Sequence, residues 1–126
     1  MIAKKEIKYL ISLKQKKFRI INNEFVIEGA KLILEALMHN QPIKQIIYST
    51  KIKQFDEIRI KAKNNNIKLS LCTIKDAERI SDTKNSQQIF ALLEYPVLKN
   101  INTIITNIEK PLIILDGISD PGNMGT

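Results

Sequence analysis

The sequence predicts an α/β fold in which short strands alternate with amphipathic helices. Short apolar runs recur along residues 1–96, stretches with helical apolar spacing separate them, and Gly, Pro or Asn marks most of the boundaries. Strands that alternate with helices indicate a mainly parallel sheet covered on both faces. We therefore expect one compact domain over residues 1–96.

The predicted helices are recognised by apolar residues at helical spacing. The first lies near residues 4–16, the second runs from Ala30 to a stop at Asn40, and a short fourth covers about Lys75 to Ile80. The third is capped by Ser49 or Thr50 and runs to the stretch 63–66. The apolar faces consist of Ile7, Leu10 and Ile11; Ala30, Ile33, Leu34, Leu37 and Met38; and Ile52, Phe55, Ile58 and Ala62.

The predicted strands are short apolar runs with clear ends. Residues 25–28 end at Gly29, and residues 43–48 follow Pro42. Residues 67–71 alternate apolar and polar side chains, and residues 89–93 form an apolar run that Pro96 closes. Four strands are therefore expected within the first domain.

The remaining residues divide into a connector and an apolar segment. Residues 97–110 show no clean period and predict a linker. The apolar run 112–115 then leads to Asp116 and Gly117 and on to the polar residues 120–126. This pattern predicts a buried strand that delivers a polar loop to its carboxyl end, which is where ligands bind in open α/β sheets.

Positive charge is concentrated near the N-terminus. The chain carries a net charge of +7, and the first 31 residues contain eight basic against three acidic residues, a local charge of +5. The segment Lys14–Arg19 is especially dense. Such an excess favours a polyanionic partner through phosphate neutralisation, although a solvated helix face that keeps the protein soluble is an equal alternative.

Several other classes of protein and site are disfavoured. The single Cys72 excludes an internal disulfide and suits a reducing cytoplasm, where we expect the protein to act. No apolar run has the length of a membrane span, and the N-terminus lacks the features of a signal peptide. The lone His39 is expected to be exposed or to cap a helix, and no residues show the spacing of metal ligands or of a nucleotide-binding P-loop.

The segment PLIILDGISDPGNMGT resembles the first motif of the SpoU/TrmH family of RNA ribose 2′-O-methyltransferases, L-D-x-I-x-D-P-x-N-x-G-[ST]. The resemblance extends to the N-terminal part. Lys14–Arg19 followed by Phe25–Gly29 is similar to the K-x-R…F-x-V-E-G opening of these proteins. Asp82–Thr83 and Gln87–Ile89 stand where the family shows T-x-x-x-Q-G-[IV], with Gln88 in place of the glycine.

The resemblance implies a domain organisation and a fold. Residues 1–96 would be a small alternating α/β sandwich similar to ribosomal and kink-turn-binding proteins and would bind the RNA substrate. Residues 97–110 would be the linker, and residues 111–126 the truncated start of the SPOUT methyltransferase domain. The complete enzyme would transfer a methyl group from S-adenosylmethionine to a ribose hydroxyl of rRNA or tRNA and form a homodimer.

The resemblance also implies site residues. Asn123 would be the catalytic residue of the first motif, in a loop with Asp116, Asp120, Pro121, Gly122 and Gly125. The family's other catalytic and cofactor-binding motifs would lie beyond Thr126, so this chain alone is expected to be inactive, to bind no cofactor, and to be monomeric or weakly associated through its tail. The expected RNA-binding residues are Lys14, Lys16, Lys17, Arg19, Glu28, Gly29 and Lys31.

Two questions stay open at the level of sequence. Glu28 is either a buried hydrogen-bonding anchor or, with Gly29, part of a loop that faces RNA. The chain as a whole is either the N-terminal part of a methyltransferase or a stand-alone, non-catalytic, kink-turn-like RNA-binding protein. The apolar segment that leads into the motif favours the first interpretation.

Overall fold

The computed structural model describes residues 1–49, 52, 55–97, 100–106, 111 and 113–119. The chain divides into two compact units, Met1–Pro96 and Val97–Thr126. The described residues contain the helices α1 (Lys4–Ser12), α2 (Lys16–Asn22), α3 (Ala30–Met38), α4 (Phe55–Asn64), α5 (Ile74–Ile80) and α6 (Ile101–Thr106), and the strands β1 (Glu24–Glu28), β2 (Ile43–Tyr48), β3 (Lys68–Leu71) and β4 (Ile89–Glu94).

The four strands of the first unit form one sheet with the order β1-β4-β2-β3. The α/β class is confirmed, but the prediction of a mainly parallel sheet is wrong. β2 and β3 are parallel, whereas β4 runs antiparallel to both β1 and β2. Ile89 lies opposite Tyr48, at the end of β2, so β4 starts from the edge at which its neighbours finish. The alternation of strands and helices does not show at which end of the neighbouring strands the next strand begins, so it does not determine whether that strand is parallel or antiparallel.

Both faces of the sheet are covered, as predicted. Side chains alternate across a strand, so β4 contributes Phe90 and Leu92 to one core and Ile89, Ala91 and Leu93 to the other. The first core, which contains Ile7, Leu10, Ala77 and Ile80, lies under α1 and α5. The second, which contains Ile33, Leu37, Ile58 and Ala62, lies under α3 and α4.

The N-terminal helix ends earlier than its predicted boundary, and a second helix follows it. α1 stops at Ser12, and after a short turn α2 covers Lys16–Asn22. α2 has no fully buried residue, and Ile20 and Ile21 are both exposed. It therefore lacks the apolar stripe by which amphipathic helices are recognised. Asn23 ends α2 in the left-handed conformation with φ 54°.

The second unit differs from its sequence-based description in two places. The predicted connector contains the helix α6. Ile113, Ile114 and Leu115 form no strand, and the side chain of Ile113 is 81% exposed. A strand is stable only with a partner for its backbone groups, and no described strand pairs with these residues. Leu112, the first residue of the predicted strand, lies outside the described residues.

A polar cluster bridges α1, β1 and β2 at the side of the first core. Tyr9 Oη donates a hydrogen bond to the buried Glu24, whose Oε1 lies 2.6 Å from Lys44 Nζ. Lys44 also pairs with Glu94 at 3.1 Å. Burial and then the bond to Glu24 raise the pKa of Tyr9 to about 12. The hydrogen bonds from Lys44 to Glu24 and Glu94 also raise the pKa of Lys44.

We expect residues 1–96 to fold without the remainder of the chain, because all four strands and both cores lie within them. A protein truncated after Pro96 should unfold in one cooperative transition in thermal melts followed by far-UV circular dichroism. The full 126-residue chain is the control. A broad, non-cooperative melt of the truncated protein alone would contradict this expectation.

The Tyr9 hydroxyl should make stability depend on alkaline pH. Its folded-state pKa of about 12 lies above its ordinary value of 10, so the protonated form is favoured by folding. The stabilisation is fully present below pH 10 and is lost as the pH rises through 12. Wild type should therefore exceed Tyr9→Phe in urea stability at pH 8, and the difference should shrink above pH 10. A difference that is constant from pH 8 to 11.5 would contradict this.

Candidate functional site

The loop 81–88 between α5 and β4 is fastened to the end of β1 by one carboxylate. Glu28 Oε2 accepts a hydrogen bond from Ser81 Oγ at 2.7 Å, and its Oε1 accepts bonds from Ser86 Oγ at 2.9 Å and Gln87 N at 2.8 Å. Both ends of the loop are thus tied to the same side chain. Glu28 is therefore a hydrogen-bonding anchor for this loop.

The same loop receives a lysine from the basic N-terminal segment. Lys14 Nζ donates to the carbonyl oxygen of Ser81 at 2.6 Å and lies 3.3 Å from Asp82 Oδ1. Ser81 therefore contacts Lys14 through its backbone and Glu28 through its hydroxyl. The two elements that the sequence analysis singled out, Lys14–Arg19 and Glu28–Gly29, meet at this residue.

Arg19 closes the turn between α1 and α2. Its Nη1 donates to the carbonyl oxygens of Leu13 at 3.0 Å and Lys14 at 2.6 Å, which have no helical partners at the end of α1. Lys16 and Lys17, in the first turn of α2, are exposed. The predicted basic residues therefore fall into two groups: Lys14 and Arg19 bind the protein itself, and Lys16 and Lys17 face solvent.

Gly29 lies where a side chain would collide with the loop. Its φ of +111° is strained for other residues, and a Cβ built on it would lie 2.9 Å from Gln87 Oε1. The Gln87 amide thus sits directly over the start of α3. Together with Glu28, Lys31 and Glu35 it lines an open depression of about 290 Å³. Lys31 is exposed at its rim.

Gln88, which stands where the family motif has a glycine, has a backbone conformation that favours glycine. Its φ is 57°, in the left-handed region. Its side-chain oxygen accepts a hydrogen bond from Ser49 Oγ, and its backbone oxygen accepts one from Ser49 N at 3.0 Å. Ser49 lies directly after β2. These bonds hold a non-glycine residue in a conformation that costs it energy.

The motif residues of the second unit are only partly described. Asp116 is exposed, and Gly117 has φ 68°. Asp120, Pro121, Gly122, Asn123 and Gly125 lie outside the described residues.

Cys72, His39 and Tyr48 lie in ordinary structural environments. Cys72 is buried, and burial followed by the nearby Asp76 raises the pKa of its thiol to about 11. His39 is exposed at the end of α3. Tyr48 packs on Phe55 with ring centroids 4.2 Å apart. Among the described residues, no group of His, Cys, Asp and Glu could hold a metal ion, and no helix could span a membrane.

Three members of this site are not predicted as site residues by the sequence. Ser81 and Ser86 belong only to a polar loop at that level, and Gln87 only to an incomplete motif. Hydroxyl and amide side chains are common in loops, so their composition carries little information. The signal that identifies them is their hydrogen bonding to Glu28, which is more than fifty residues away in the sequence and visible only in the fold.

The fold is that of SpoU and TrmH methyltransferases. The chain superimposes with a TM-score of 0.67 on a TrmH-family protein from Porphyromonas gingivalis, at 23% identity, over 99% of this chain and 46% of that one. It superimposes with a TM-score of 0.64 on the AdoMet-bound rRNA methyltransferase from Sinorhizobium meliloti, at 24% identity, over 76% of this chain and 35% of that one.

Sequence comparison defines the family. Residues 4–91 match the MRM3-like substrate-binding domain, and the chain belongs to this family. It is 30% identical over 115 residues to the 23S rRNA (guanosine(2553)-2′-O)-methyltransferase RlmP of Bacillus subtilis, and 28% identical over 115 residues to the mitochondrial rRNA methyltransferase 3 of Xenopus laevis. It covers 42% and 27% of these two relatives, respectively, and so spans less than half of their length.

The left-handed conformation of Gln88 leads to a test of the loop. Gln88→Gly and Gln88→Ala both remove the amide that binds Ser49, but only alanine retains a Cβ that opposes this conformation. We expect the glycine variant to be more stable than the alanine variant by about 0.5–1 kcal/mol, measured by urea denaturation. Equal stabilities would show that the loop does not hold residue 88 at positive φ in solution.

Proposed function

We propose that residues 1–96 bind the RNA substrate of an S-adenosylmethionine-dependent ribose 2′-O-methyltransferase, with rRNA as the substrate class. Membership in the MRM3-like substrate-binding domain family carries this proposal. The named relatives, which are rRNA methyltransferases, support the choice of rRNA over tRNA. The site offers a physical basis for it, because the exposed Lys31 lines the depression beside Gln87 and the basic segment Lys14–Arg19 contacts the same polar loop through Lys14.

The proposed phosphate contacts are assigned to exposed lysines whose ammonium groups are not used in ion pairs within the described part of the protein. Lys16, Lys17 and Lys31 are exposed and have no ion pair among the described residues. They are available to neutralise phosphates. The Nζ of Lys14 is bound to Ser81 and Asp82, so we assign Lys14 to the stability of the loop.

The role of the loop 81–88 is to present polar groups in a fixed arrangement. Hydrogen bonds to a carboxylate are stronger than those between neutral groups, and Glu28 accepts three of them. A loop held in this way loses little conformational freedom when RNA binds. Glu28 therefore acts as a positioning residue for the RNA-facing loop, and Gly29 provides the space that Gln87 occupies.

We propose that the second unit belongs to the catalytic part of the complete enzyme. By resemblance, residues 97–110 form the linker and residues 111–126 begin the methyltransferase domain, with Asn123 as the catalytic residue of the first motif. S-adenosylmethionine would supply the methyl group for transfer to the ribose hydroxyl. The complete enzyme is proposed to act in the cytoplasm as a homodimer.

Removing the exposed lysines should weaken RNA binding and its dependence on salt. We expect Lys16→Ala/Lys17→Ala to lower affinity for a structured rRNA stem-loop about equally across sequences. The slope of log affinity against log salt should fall by about one for each lysine that no longer pairs with a phosphate. Fluorescence anisotropy titrations at several salt concentrations measure both quantities.

Two further proteins make this experiment specific. Lys61→Ala/Lys63→Ala removes the same charge from α4, on the opposite face of the sheet, and should leave the salt slope unchanged. Lys14→Ala should lower the melting temperature, because Lys14 holds the loop through Ser81, and should change the salt slope little. Equal binding and equal slopes for wild type and the Lys16/Lys17 variant would remove this surface from the RNA-binding role.

The 126-residue chain should not bind S-adenosylmethionine, because the motifs to which the family resemblance assigns cofactor binding are not found among these residues. Isothermal titration calorimetry with this chain should show no saturable heat. A stoichiometric binding isotherm would contradict the proposed division of functions between the two parts of the enzyme.

A further inference from the structure

A second feature of the same surface is a cavity of about 330 Å³ under the turn between α1 and α2. Its apolar lining includes Leu10, Val26 and Phe90 from the first core. Its polar lining includes Arg19 and Asp82. All of these residues lie in the unit Met1–Pro96, so the cavity belongs to the substrate-binding domain alone.

The size of the cavity limits what can occupy it. Its volume lies at the lower end of the range typical of small-molecule sites, and it cannot admit a helix or a strand. It reaches the surface at Asp82, whose side chain is 75% exposed, and at the exposed Thr83. One flat, mainly apolar group with polar edges therefore fits it best.

The chemistry of the lining matches a nucleobase. Unstacked bases of RNA are bound by stacking on aromatic rings and on arginine planes, with hydrogen bonds to their polar edges. Phe90, from the first core, and Tyr95 line the cavity with aromatic rings, whereas Phe25, whose ring centroid lies 4.7 Å from that of Tyr95, packs against the second core. Arg19 adds a guanidinium that two backbone carbonyls fix through Nη1. Asp82 and Thr83 supply acceptors and a hydroxyl for a base edge.

Exposed cations lie on an element that also contributes to the cavity lining. Lys16 and Lys17 are on α2, the helix that also carries Arg19. We propose that this cavity takes up one unstacked nucleobase of the bound RNA while the lysines of α2 contact the adjoining backbone. This inference rests on the proposed RNA-binding function and adds a specific site to it.

The first test uses the wild-type 126-residue chain and five RNAs. Four stem-loops carry a single-nucleotide bulge of A, C, G or U, and the fifth carries an abasic site at the same position. We expect at least one bulged RNA to bind about tenfold or more tightly than the abasic RNA, in keeping with the strength of base stacking. Equal affinity for all five RNAs would overturn the proposal.

A matched pair of variants then locates the effect. Val26 and Ile27 are adjacent in β1 and contribute to opposite cores. Val26→Phe fills the cavity and should abolish the preference for the bulged RNA, whereas Ile27→Phe enlarges the other core and should retain it. Thermal melts of both variants check that each is folded, since added volume in a core is destabilising.

An NMR measurement on wild type covers the case in which Val26→Phe does not fold. Intermolecular NOEs between base protons of the preferred RNA and the Val26 methyl groups should appear in the complex, and their absence would overturn the proposal.

The outcomes also distinguish failure of this site from failure of the proposed RNA-binding function. If no RNA binds at all, both ideas are wrong. If all five RNAs bind equally with a normal salt slope, RNA binding stands and the base pocket does not.

Discussion

The carboxylate of Glu28 is the interaction on which the arrangement of this surface depends. It joins the end of β1 to both ends of the loop 81–88. Through Ser81 it also connects to Lys14 and hence to the turn between the first two helices. Elements that lie far apart in the sequence are therefore assembled around one acceptor group. The cavity, the basic helix α2 and the depression over Gly29 all border this assembly.

The use of cations in this protein shows why a charge count overstates the binding capacity of a basic segment. Lys14 and Arg19 belong to the densest basic stretch, yet their donors satisfy backbone carbonyls and one carboxylate of the protein itself. Such groups contribute to the long-range positive potential, although Lys14 Nζ and Arg19 Nη1 already donate hydrogen bonds within the protein. The local charge of +5 thus includes cations that bind groups of the protein itself and cations that are exposed to solvent.

Periodicity predicts the core elements of the first unit well. The strand expected at residues 43–48 is observed there, and the apolar faces that contain Ile33, Leu37, Ile58 and Ala62 are buried. α2 cannot be predicted in this way, since its isoleucines are exposed. The direction of β4 cannot be predicted from periodicity either, because it depends on where the loop 81–88 brings the chain back to the sheet. At Gln88, a residue that departs from the family pattern retains positive φ through contacts with Ser49, which no pattern of residue types reveals.

The strand order has a consequence for the way this domain reaches its native state. β4 is the last strand of the sheet in the chain and occupies an interior position between β1 and β2. β1 contacts the rest of the sheet through β4 alone, over the register from Glu24 opposite Glu94 to Glu28 opposite Phe90. During synthesis, the first strand consequently remains without a partner until residue 94 has left the ribosome. Sheet closure is therefore a late, long-range event, and such contacts slow folding and prolong the exposure of unpaired strand edges.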